Sequence, residues 1–138
     1  MMKNNLLKLA LIFLLFIFNG CSGVSEDKVV GRYYLVAVDY VKEGTSLNFQ
    51  LDNNSSYGVV NETVFAVGYN DKYIIVKQHP ANNKAITNYY IVPIYKENTL
   101  WAEKGVIGAL TLEQFNEKRK ELNISDELTF TKEIEDLK

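Results

Sequence analysis

TVFAVGYNDKYIIVKQ, from Thr63 to Gln78, is two runs of β-branched and aromatic residues on either side of Asn70 and Asp71. Side chains of that kind fit a pleated, half-buried surface. Asn and Asp tolerate the positive φ that a tight two-residue turn demands, so the stretch predicts a β-hairpin. Outward from it, the chain from Val29 to about Ala102 stays rich in Val, Ile, Tyr and Phe, cut at short intervals by Asn, Asp, Gly and Ser. Val30 to Val41 is apolar on both faces, with Tyr34, Val36, Val38 and Tyr40 on one and Tyr33, Leu35, Ala37 and Val41 on the other. That pattern predicts a central strand. Leu47, Phe49 and Leu51 alternate with Asn48, Gln50 and Asp52, as in a strand with one buried and one wet face. On the far side, Asn88 to Tyr95 contains Pro93, which cannot donate to a ladder and so predicts an edge or a bulge. Thr99 to Ala102 reads as a short further strand.

The period changes after Leu110. Thr111 and Gln114 have the spacing of a capping box, Leu110 and Phe115 that of its hydrophobic staple, and Leu112, Phe115 and Leu122 recur at helical spacing. A helix from Leu112 to Leu122 is expected, with Asn123 as its C-terminal cap. Its charged positions, among them Glu113, Lys118, Arg119 and Lys120, read as a solvated face. The tail from Ser125 reads as a strand around Leu128 to Thr131 that then frays. The expected fold class is therefore α+β, mostly antiparallel β: a five- to six-stranded meander with one C-terminal helix.

The N-terminus has a different chemistry. Lys3 and Lys8 flank an apolar run, Leu9 to Phe18, that ends in Gly20 and Cys21, the order of a secretory signal. The run has about half of the roughly twenty residues that a helix needs to cross hydrocarbon. Phe18-Asn19-Gly20-Cys21 resembles the lipobox of bacterial lipoproteins, where the thiol receives a diacylglycerol group and becomes the new N-terminus. Phe18 stands where that motif usually has Leu or another aliphatic residue. The resemblance implies a lipoprotein signal peptide over residues 1–20, a lipidated cysteine and flexible tether over 21–28, and one globular domain over 29–138. Cys21 is the single cysteine, so no internal disulfide competes for its thiol. Cleavage removes Lys3 and Lys8, and the loss of these two positive charges takes the formal charge from -2 to -4. A mildly acidic chain without a basic stripe is not expected to bind nucleic acid.

Three stretches read together resemble one family: Arg32 to Ala37 (RYYLVA), Val64 to Pro80 (VFAVGYNDKYIIVKQHP) and Asn88 to Pro93 (NYYIVP). They are similar to a family of small bacterial lipoproteins whose domain is catalogued as having unknown function. The likeness covers most of the mature chain, is most specific from Gly68 to Pro80, and supplies no catalytic residue.

Chemistry-bearing residues are few. His79, the one histidine, precedes Pro80 at the end of a predicted strand and is the side chain that could act as a general base. No Gly-x-Ser-x-Gly elbow or phosphate-cradling glycine motif accompanies it, so a small hydrolase using His79 is the lesser alternative. Asp52-Asn53-Asn54 lacks the rest of a calcium loop, and neither a metal nor a cofactor is expected. Tyr69, Tyr73, His79, Tyr89 and Trp101 are the candidate binding residues, because aromatic side chains on adjoining strands can present rings to a partner. Filling the core of a small sheet is the competing role for the same rings. The expected function is that of a membrane-anchored lipoprotein of the bacterial cell envelope, its domain outside the cytoplasm. It would act as a non-catalytic protein-interaction or inhibitor module, or alternatively bind a glycan or small ligand through exposed aromatics.

Overall fold

A computed structural model describes residues 23–138. The signal-like segment and Cys21 lie outside the described residues. Within them the chain forms β1 (Val24–Val30), β2 (Tyr33–Val38), β3 (Ser46–Gln50), β4 (Ser56–Val60), β5 (Val64–Tyr69), β6 (Tyr73–Gln78), β7 (Asn88–Pro93), β8 (Ile107–Leu110), α1 (Leu112–Glu121) and β9 (Lys132–Glu133). β1 to β4 make an antiparallel sheet in sequence order, and a second antiparallel sheet has the order β8-β7-β6-β5-β9. The fold class is the expected one, mostly antiparallel β with one helix near the C-terminus.

The sheets stack face to face. Tyr33, Leu35, Leu47 and Phe49 of the first sheet share a buried cluster with Val64, Val67, Ile74, Val76 and Val92 of the second. On the opposite face of the second sheet, Ile75 and Ile91 pack under Phe115 of α1, with Ile124 and Leu128 beside it. β6 is thus in a middle layer. Ile74 and Val76 point toward the first sheet and Ile75 toward the helix, so its apolar run is continuous rather than alternating. Each such buried side chain contributes about 1.5–3 kcal/mol relative to leaving it exposed.

Local chemistry sets the connections. The β5–β6 hairpin forms as expected, but Asn70 and Asp71 are not in the left-handed region. Instead the Asn70 side-chain oxygen accepts from the Lys72 and Tyr73 amides, each at 2.8 Å, an Asx turn that closes the hairpin without positive φ. Left-handed residues occur at Asp39 (φ 55°) and Tyr40 (φ 56°), and this turn stops β2 at Val38 instead of Val41. β2 is central in its sheet, between β1 and β3, and β3 buries Leu47 and Phe49 between half-exposed neighbours. Both capping-box bonds of α1 are present, Thr111 amide to Gln114 at 2.9 Å and Gln114 amide to Thr111 at 3.2 Å, and Asn123 takes the left-handed position after the helix (φ 53°).

Several expectations are corrected. The strands outnumber the five or six legible as apolar runs, because short or charged edge segments pair too. β1 begins at Val24, so residues read as a tether pair with β2, their side chains exposed but their backbone bonded. β7 is an interior strand: β8 pairs with it only up to Ile91, leaving Pro93 beyond that ladder, opposite Tyr73. Thr99 to Ala102 is a loop leading into a 3-10 turn, Ala102–Gly105, rather than a strand. The tail does not fray: β9 pairs with β5, and Leu137 is buried against Phe65 and Ala66. Arg119 is not merely solvated, since it donates to the carbonyls of Ser125 (2.6 Å) and Leu128 (2.7 Å) and braces the chain after the helix. That chain passes so close to β5 that a β-carbon on Gly68 would lie 1.9 Å from the Thr129 carbonyl oxygen.

Candidate binding site at the Trp101 loop

At one end of the first sheet, polar groups of buried and half-buried residues reach across to hold the loop that follows β7. Tyr33 is fully buried, its ring edge-on to Phe49 at 5.2 Å. Its hydroxyl donates to the Pro93 carbonyl and accepts from the Tyr95 amide, both at 3.0 Å. Burial pushes the Tyr33 phenol above its ordinary pKa, because the charged form would be desolvated. Arg32 donates from Nε to the Lys96 carbonyl at 3.0 Å and pairs with Asp52 at 2.7 Å. Asn98 accepts from the Asp52 amide at 3.0 Å. Tyr57 donates its hydroxyl to the Thr99 carbonyl at 2.7 Å and accepts from the Ala102 amide at 3.1 Å. Five backbone groups between Pro93 and Ala102 are thereby satisfied from the first sheet.

The loop so held presents Leu100 and Trp101 to solvent, 63% and 59% exposed. Lys104 lies over the Trp101 ring at 4.0 Å. Leu51, Asp52, Asn53, Asn98 and Thr99 join them in lining an open cleft of about 540 Å³, within the range of small-ligand pockets. Amide and hydroxyl groups beside an exposed indole can bind a partner's polar groups while the ring and Leu100 cover its apolar surface. The one titratable side chain of the cleft, Asp52, is engaged by Arg32.

The candidate residues read from the sequence do not gather on one surface. Trp101 is in this cleft. Tyr73 and Tyr89 pack against the Ile75, Ile91 and Phe115 cluster, with the Tyr89 ring 5.0 Å from Phe115. Tyr69 is half exposed at the end of β5, in a separate groove with Lys28 and Lys132. His79 is buried, stacked on Phe65 at 4.1 Å and 11°. Its Nδ1 is 2.9 Å from the Ile86 carbonyl oxygen, which can only accept, so Nδ1 carries the proton. Burial leaves the imidazole no surface on which to meet a substrate. Among the described residues no three His, Cys, Asp or Glu side chains converge as metal ligands would, and no helix is long and apolar enough to cross a membrane.

Sequence reasoning missed Tyr33, Arg32 and Tyr57, the residues that shape the loop. Tyr33 opens β2 and Arg32 lies in the turn before it, and the sequence pattern marks them only as core and flank. The one available signal was the polar reach of a buried tyrosine, whose hydroxyl needs a partner.

Neither a curated protein nor a solved structure matches the chain. A family model described as "Protein of unknown function (DUF3997)" matches residues 30–136. Because that match runs from the last residue of β1 into the C-terminal turn, and so spans most of the chain, the protein belongs to this family.

Proposed function

We propose that the protein is a lipoprotein of the bacterial cell envelope, cut before Cys21 and held by acyl chains on that cysteine, with its domain outside the cytoplasm. The domain binds a protein partner through Leu100 and Trp101 and catalyses nothing. The apolar run before Phe18-Asn19-Gly20-Cys21 supports the anchor. Several acyl chains make attachment durable, since one chain alone holds only reversibly.

The binding reading is carried by one observation: two large apolar side chains stand exposed on a loop fixed by the hydroxyls of buried Tyr33 and half-buried Tyr57. A loop already ordered loses little entropy on association, and tryptophan is among the residues that most often dominate binding energy. In-cell crosslinking followed by purification of the native and Trp101→Ala proteins tests it. A partner captured by the native chain and lost from the variant is the expected result; identical capture by both rejects the loop as the interface. The variant should unfold within about 0.5 kcal/mol of the native protein, as exposed positions do.

A second reading is favoured by the cleft's lining. Asp52, Asn53, Asn98 and Thr99 beside an indole suit a glycan, which stacks a sugar face on the ring and bonds its hydroxyls to the amides. Titration with cell-wall sugar fragments should change Trp101 fluorescence, and a flat titration excludes this reading.

A further inference from the structure

Val24, Val38, Tyr40 and Val41 form a second exposed apolar patch, 49%, 58%, 64% and 51% exposed. They are contiguous. Val24 is the register partner of Val38 at the end of the β1–β2 ladder, and Val38 accepts from the Val41 amide at 3.2 Å across the turn. The Tyr40 ring lies over Gly23 so closely that a β-carbon there would stand 1.7 Å from the ring. Tyr40 is left-handed, a conformation that glycine or asparagine takes at less cost than tyrosine, so the backbone of the turn gives no reason for an aromatic residue here.

The patch stands where the chain leads toward Cys21. Only Ser22 separates Gly23 from that cysteine, so the two lie at most about 7 Å apart along the chain. We propose that Val38, Tyr40 and Val41 rest in the headgroup region of the bilayer that holds the Cys21 lipid, with Val24 beside them. This inference rests on the anchor reading above and extends it. Acyl chains on Cys21 bring the turn to the lipid surface, where a tyrosine ring and flanking valines match the interface of headgroup and hydrocarbon. The surrounding charges are mixed: Asp39 and Glu43 are acidic, and Lys42 is paired to Asp136 at 2.6 Å. The contact is therefore apolar and does not need anionic lipid. β2 begins at Tyr33, beneath the Trp101 loop, and ends at Val38, about 17 Å away along the strand. With one end on the bilayer, the binding loop faces away from it.

The test uses the mature lipidated protein in phosphatidylcholine vesicles with and without bromine on the acyl chains. Trp101 is the only tryptophan, so the native chain reports on its loop, and a Tyr40→Trp, Trp101→Phe protein reports on the turn. The expected result is loss of most emission from the indole at position 40 and none from Trp101. Amide hydrogen exchange supplies a readout on the native sequence: Asp39 to Val41 should exchange more slowly on vesicles than in the soluble Cys21→Ser protein. Mass spectrometry of the same sample separates the two ideas. A diacylated Cys21 with an unquenched indole at position 40 and unchanged exchange overturns this contact and leaves the anchor standing. Slow exchange without quenching, from a protein that sediments as a dimer, assigns the patch to a second copy and also overturns it. An unmodified Cys21 overturns both.

Discussion

The two ends of the first sheet both expose large apolar residues, yet they are supported in opposite ways. At the Trp101 end, the hydroxyls of Tyr33 and Tyr57 and the guanidinium of Arg32 reach out of the sheet and fix the backbone of a loop more than forty positions away in sequence. At the Tyr40 end, the turn is held by local backbone bonds from the Val41, Gly44 and Thr45 amides, the close fit of Gly23 under a ring, and an exposed ion pair from Lys42 to Asp136, with the Thr63 hydroxyl reaching only as far as the Glu43 carbonyl. Buried hydrogen bonds specify geometry, because a displaced partner leaves polar atoms unpaired in a dry interior. Exposed ion pairs and local turns specify much less. The difference suits a shaped partner at one end and a fluid lipid surface at the other.

Removing a buried hydroxyl is the largest expected disturbance. Tyr33→Phe keeps the ring but leaves the Pro93 carbonyl and the Tyr95 amide without their partner, a loss of about 1–3 kcal/mol. Urea unfolding should show it, and hydrogen exchange should quicken between Tyr95 and Trp101 while the Tyr40 turn is untouched. Tyr57→Phe acts on the same loop from a less buried position and should cost about 1 kcal/mol. Its clearest sign is a fall in Trp101 fluorescence anisotropy. If both variants leave the loop as rigid as before, the contrast between the ends fails.

Alkaline titration probes Tyr33 at this end, together with Tyr90 in the second sheet. Tyr33 and Tyr90 both have phenols raised by burial, so the unfolded chain loses these protons first. Their contribution to stability is complete below the ordinary tyrosine value of 10.0 and declines as pH rises above it toward the folded values. Denaturant midpoints measured from neutral to alkaline pH should fall in that window, with a smaller slope for Tyr33→Phe.

The Tyr40 end predicts smaller effects, one of them a gain. Tyr40→Asn replaces a left-handed tyrosine by a residue that accepts that conformation; because the ring is 64% exposed, the relief outweighs the lost contact with Gly23 and stability should rise by about 0.5–1 kcal/mol. Loss of stability would mean that the ring is part of the core. Lys42→Met should be smallest. Its partner Asp136 is held below the usual carboxylate range by the Lys42 hydrogen bond, so their contribution is present above the ordinary value of 3.8 and is lost as pH falls through the lower folded one. The variant should therefore differ from the native protein slightly at neutral pH and low salt, and not at all in strong acid.

Elements governed by neighbours in sequence were legible. Thr111 and Gln114 announce the start of α1 and Asn123 its end, because caps are satisfied within one turn. Leu47 and Phe49 reveal their buried face by alternation. The Asn70 turn was located correctly but with the wrong mechanism, since asparagine can close a hairpin by positive φ or by its side-chain oxygen and the sequence is the same for both. The edge strands escaped notice: β9 is short and charged, and the outer residues of β1 keep their side chains in solvent while only their backbone bonds.

Composition and periodicity were sufficient for a mostly antiparallel β chain with one helix, because burial of one face imposes a period that residue order records directly. The candidate site was not readable in that way. Whether a tyrosine is core or surface depends on which sheet face another layer covers. Tyr89 lies under α1, Tyr69 stands half exposed, and Tyr33 uses its hydroxyl to hold a loop it is distant from in sequence. The same residue type on the same kind of strand received three different roles, and only the stacking of the two sheets and the helix assigned them, because contacts between layers are made by residues whose separation along the chain carries no period.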